Sequence, residues 1–90
     1  MILLEDAKKY LRVDSSDEDA LIENMIAASE KLVCDVLRVS EDDELLANPI
    51  CYIAKQYAIA YMYEHREEAN HDELIKTLRS ILSGIRLEVF

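Results

Sequence analysis

Residues Asn48 to Glu67, NPICYIAKQYAIAYMYEHRE, decide how this chain folds. Asn48 suits a helix cap, Pro49 suits the first helical position, and neither proline nor glycine follows within the stretch. The pattern predicts one helix of about five turns. Set at about 100° per residue, Ile50, Ile53, Ala54, Tyr57, Ala58 and Tyr61 share one broad face, the expected core face. Nearly opposite runs a narrower apolar stripe of Tyr52, Ile59 and Tyr63, bordered by Lys55 and Arg66 on one side and by Gln56 and Glu67 on the other. A helix that is apolar on both sides needs two partners. Tyrosine covers a large area while keeping a hydroxyl for a wet rim, so Tyr52, Ile59, Tyr63, Lys55 and Arg66 are the candidates for a subunit interface. The alternative is burial of that stripe under the C-terminal tail or another helix of the same chain.

Upstream, Leu3 or Leu4 to Leu11 predicts a short first helix with Leu3, Leu4, Ala7, Tyr10 and Leu11 on one side. At about two turns it is stable only when packed. The polar run Asp14 to Asp19 breaks the pattern, and Ser16 and Asp19 have the spacing of an approximate capping box. A second helix then runs to about Leu37, carried by Leu21, Ile22, Met25, Ile26, Ala28, Leu32, Val33 and Val36. Cys34 falls outside that apolar arc and is expected to be accessible. Val39 to Ala47 is a connector with Glu41-Asp42-Asp43-Glu44 at its centre and room for one helical turn at Leu45-Leu46.

Downstream, Asn70 and Glu73 repeat the cap signal and open a fourth helix with Leu74, Ile75, Leu78, Ile81, Leu82 and Ile85 on one face. Gly84, the single glycine, is placed to stop it. Ile85 to Phe90 alternates apolar and charged residues, which predicts a short strand. A lone strand pairs with another chain or frays, so Leu87, Val89 and Phe90 are candidates for partner contact. The expected fold is all-α: residues 1–90 form one domain, a small bundle of four helices, the first one short, with a short C-terminal extended tail.

Ninety residues suffice for one core, near the size at which a partner subunit adds noticeably to stability. The 10 basic and 19 acidic residues sum to −9, which argues against gripping nucleic-acid phosphates or an anionic membrane. The charge is uneven. Met1 to Asn48 holds 5 basic and 13 acidic residues, Pro49 to Phe90 holds 5 and 6, and the near-neutral second half is the better place for contacts. Two cysteines without CxxC spacing indicate free thiols. No apolar run approaches a membrane span, and the start MILLEDAKK lacks the features of a signal peptide, so a cytoplasmic protein is expected.

Chemistry is sparse. The acids from Asp14 to Asp19 do not have calcium-loop spacing and include no glycine for its turn. His65 and His71 are too far apart for a helical zinc pair. No phosphate-cradling loop, Ser/His/Asp set or Cys/His nucleophile can be assembled. Catalytic, cofactor-binding and metal residues are therefore unassigned, no cofactor is expected, and an enzyme is disfavoured.

The opening LEDAKKYLRVDSSDEDALIENMIAASEKLV resembles the signature of the small head-tail connector proteins of tailed bacteriophages. The matching positions are Leu4, Ala7, Lys8, Tyr10, Leu11, Arg12, Val13 and Asp14 in the short helix and its end. Asp19, Ile22, Ile26, Ala27 and Ala28 follow in the long helix. The third helix, ending Tyr63-Glu64-His65-Arg66-Glu67, is similar to the aromatic-rich third helix of that family, although it has no tryptophan. The resemblance implies a homo-oligomeric ring that docks below the portal of a filled head, meets tail-proximal proteins and lets duplex DNA pass without specific binding. It also implies a place at the virion neck after assembly in the cytoplasm of the bacterial host. A ring closed head to tail needs two different surfaces per subunit, for which the second stripe is a candidate. The competing reading is a small acidic cytoplasmic regulator that binds one partner protein through the same stripe.

Overall fold

The computed structural model describes residues 2–66 and 70–89, with side chains for residues 2–66 and 70–84. Four α-helices follow one another: α1 (Leu4–Leu11), α2 (Asp19–Leu37), α3 (Pro49–Glu64) and α4 (His71–Val89), with a 3-10 turn at Glu44–Ala47 between α2 and α3. The chain is an all-α bundle with a short first helix, and no strand occurs among the described residues.

Two of the predicted caps form. The Asn48 side chain accepts from the Ile50 N–H at 2.9 Å with Pro49 at the first helical position, and the Asn70 side chain accepts from the Glu73 N–H at 3.0 Å. Each satisfies one amide that the helix itself leaves unpaired. The predicted capping box at Ser16 and Asp19 does not form. Ser16 offers its backbone carbonyl to Asp19 N–H, and no side chain caps α2. The acids there have stronger partners, since Asp19 pairs with Lys8 at 2.8 Å and Glu18 reaches across to Tyr63 and Arg66. Charge-assisted bonds of this kind outweigh a cap to a neutral amide.

Both α1 and α2 end in the same tripeptide, Leu-Arg-Val. Arg12 (φ 61°) and Arg38 (φ 58°) take the left-handed conformation. The valine N–H then reaches back to the carbonyl of the residue five earlier, Val13 to Lys8 at 2.9 Å and Val39 to Cys34 at 3.0 Å. This is a Schellman closure made without glycine. The valines pack against the core and hold the closure in place. Such a turn costs an L-residue roughly 1–2 kcal/mol, so the packing must offset it twice.

The sequence expectation for the C-terminus is corrected. Helix α4 runs through Gly84 to Val89, and no glycine has positive φ. A helix already under way gains one hydrogen bond for each residue it adds, whereas a strand without a neighbour gains none. Leu87 and Val89 lie in this helical backbone with side chains outside the described set, and Phe90 lies outside the described residues.

Helix α3 is the element every other helix touches. One cluster joins Val33, Val36 and Leu37 of α2, Cys51, Ala54, Ala58 and Tyr61 of α3, and Leu74, Leu78 and Leu82 of α4. A second joins Ile2 and Ala7 at the α1 end, Ile22, Met25 and Ile26 of α2, and Ile59 of α3. Both of its packing partners are thus in the same chain.

Candidate assembly surface on the central helix

The residues of α3 sort by size rather than by polarity alone. Cys51, Ala54 and Ala58, spaced three and four apart, are fully buried where α2 and α4 close on α3. Small side chains at a crossing let helix axes approach to the near end of the usual 8–10 Å range. The Cys51 thiol donates to the Leu45 carbonyl at 3.3 Å, which ties the 3-10 turn to this seam. At the far end the Tyr61 hydroxyl lies 3.4 Å from the Asn70 carbonyl and accepts from the Asn70 N–H at 3.3 Å, while the His65 ring stacks on Tyr61 at 4.2 Å.

The stripe expected to meet a neighbouring subunit is divided by the fold. Ile59 has no exposed surface and sits in the cluster under α1, so it is unavailable to a second chain. Lys55 is 6% exposed, with its ammonium 3.9 Å from the Glu30 carboxylate. Tyr63 is half-buried, its hydroxyl donates to Glu18 at 2.5 Å, and the Arg66 guanidinium lies 4.6 Å over its ring while also pairing with Glu18. Tyr52 remains 44% exposed, with its hydroxyl accepting from Gln56 at 3.0 Å, and Arg66 is also exposed. The fold therefore realises the alternative, burial by another helix of the same chain, for Ile59 and Lys55. The physical reason is that α1 and the first half of α2 need an apolar partner, and Ile59 supplies it.

The face read as core is, in part, the free one. Ile50 is 37% and Ile53 58% exposed, and Tyr57 and Ala60 beside them are half-buried. From Pro49 to Tyr61 this outer face carries no charged side chain, because Lys55, the single charge in that span, points inward. Exposed apolar residues scattered singly mean little, but a contiguous uncharged helix face on a chain that is 32% charged marks a contact surface. The sequence signal that could have found it is the Cys51-Ala54-Ala58 series, which names the side where helices must come closest.

The remaining polar groups do not converge on chemistry. A cleft of about 410 Å³ is lined by Glu30, Cys34, Glu41, Leu46, Ala47 and Lys55. Cys34 is buried there rather than accessible, and burial, helped by Glu41, pushes its thiol pKa up. Burial likewise raises the Cys51 thiol. Both are thus held as thiols at neutral pH, the unreactive form. Among the described residues no three His, Cys, Asp or Glu side chains are grouped to hold a metal, and no helix is long and apolar enough to cross a membrane.

The family model of the phage gp6-like head-tail connector protein matches residues 1–87. The chain belongs to that family. Neither the curated proteins nor the solved structures contain a match. A connector is a structural component of a phage particle, and its working parts are surfaces. The apolar outer face of α3 and the absence of a convergent polar site agree with that. The match includes the short α1, its Leu-Arg-Val end and the acidic turn after it, so the resemblance carried by residues 4–33 extends over nearly the whole connector.

Proposed function

We propose that this connector is an adaptor at the head–tail junction, a homo-oligomeric ring that docks below the portal, extends the DNA channel and offers a platform to the tail. The observation that carries this reading is the family match over residues 1–87. In this reading residues 1–90 work as one unit, at the virion neck, after assembly in the cytoplasm of the bacterial host. Recognition is by surface complementarity, with Tyr52 and Arg66 at the edge of a subunit contact and Leu87, Val89 and Phe90 as candidates for contact with portal or tail proteins. The net charge of −9 suits a wall past which a duplex must slide, since like charge keeps the phosphates from sticking.

Electron microscopy of the purified chain mixed with the portal of the same phage or prophage tests this. Annular particles seated on one end of the portal are expected. A chain that neither self-assembles nor adds density to the portal overturns the reading.

A further inference from the structure

The large apolar side chains left exposed fall mainly into two separated groups. Ile50, Tyr52 and Ile53 lie on the first half of α3, and Leu3 and Tyr10 lie on α1, with Leu3 62% and Tyr10 52% exposed. Each group flanks a different core cluster. Leu3 also opens onto a groove of about 270 Å³ formed with Ile2, Leu4, Glu23, Ile26 and Ala27, deep enough to accept an aliphatic side chain.

Their electrostatic surroundings are opposite. The α3 group follows directly on the connector, where Glu41, Asp42, Asp43 and Glu44 stand together and all but Asp43 are exposed. The first 13 residues hold three cations, Lys8, Lys9 and Arg12, against Glu5 and Asp6, a net +1 in a chain of −9. Lys9 and Arg12 are exposed. A contact between two α3 faces centred on Ile50 and Ile53 brings two acidic connectors to one interface, where like charges repel. A contact of α3 with α1 sets the acidic connector against the more basic segment, and complementary charge sets both rate and register of association.

We infer that Ile50 and Ile53 of one copy seat against Leu3 and Tyr10 of the next, a head-to-tail contact that leaves each copy one free surface of either kind. The inference rests on the reading of the chain as a self-assembling connector and says which surfaces meet. Such a contact propagates until it closes as a ring.

The test uses the full chain and two single variants, Ile53→Asp and Leu3→Asp. Both sites are more than half exposed, and an aspartate at position 3 suits the N-cap of α1, so the monomer fold should survive, as circular dichroism will show. Native mass spectrometry of the wild type should give closed oligomers, and each variant alone should be monomeric, with association weakened at least about tenfold. Mixed in equal amounts the two variants should form a 1:1 dimer and nothing larger, because the mixture holds one intact surface of each kind per pair. Variants that assemble like the wild type, or a mixture that stays monomeric, overturn the assignment of surfaces while leaving self-assembly in place. A wild type that is monomeric at every concentration overturns the self-assembly reading itself, and this contact with it.

Discussion

The inner and outer faces of α3 are both apolar, and the fold treats them differently. The inner face holds Cys51, Ala54, Ala58 and Ile59 without exposure, whereas the outer face leaves Ile50 and Ile53 largely in solvent. Hydrophobicity alone predicts the reverse, because Ile50, Ile53 and Tyr57 are the bulkier set. Three helices converge on α3, and close approach rewards small side chains where axes cross and one large residue where α1 leaves room for it. The largest expected effect follows. Ile59→Ala empties a filled position between α1 and α2 and should cost about 3 kcal/mol, read as a fall in urea midpoint at a concentration where the chain is monomeric. Ile53→Ala under the same conditions should change stability by no more than about 0.5 kcal/mol. Equal losses would erase the distinction between the faces.

Much of the fold is legible in the residues, and the exceptions share a cause. Asn48-Pro49 and Asn70 with Glu73 mark the starts of α3 and α4 because a cap is a local event, settled by one side chain and the nearest amides. The positions of Ile59 and Lys55 are not local. Whether a stripe on α3 meets its own α1 or a neighbouring subunit depends on where α1 lands, and eight residues of helix have no preference strong enough to announce it. Cys34 was misplaced for a similar reason, since it lies off the apolar arc of α2 but under the connector and Lys55. The Leu-Arg-Val ends of α1 and α2 are visible twice in the sequence. They carry no glycine, which is why they do not read as closures.

The end of α4 bears on the same contrast, because Leu74, Leu78 and Leu82 cover the inner face and the helix holding them continues past Gly84. A β-carbon added at Gly84 meets nothing within 4 Å. Gly84→Ala should therefore stabilise the chain by roughly 0.5–1 kcal/mol, the usual difference between these residues inside a helix. Thermal melting checks it. A left-handed stop at Gly84 predicts the opposite sign, so a drop in melting temperature would restore the extended tail and shorten the cover on the inner face.

The smallest effect concerns the charged clasp at the edge of the buried stripe, where Glu18 accepts from Tyr63 and pairs with Arg66. The Tyr63 hydrogen bond first, then that of Arg66, lowers the Glu18 pKa below its ordinary 4.5. A carboxyl that is more acidic in the folded chain binds fewer protons there than in the unfolded one, so the clasp contributes above about pH 4.5 and is lost as pH falls through the lowered value. Tyr63 shows the complement, its hydroxyl raised above 10 chiefly by the Glu18 bond, so its share is present below pH 10 and lost above it. Glu18→Gln should melt slightly below the wild type at pH 7, and the gap should close as the pH falls below 4.5. The site is partly exposed, so salt should narrow the gap at pH 7 as well. A gap that persists unchanged at low pH would mean that Glu18 acts by packing rather than charge, and that Tyr63 is held at the inner edge of α3 by α2 without an ionic clasp.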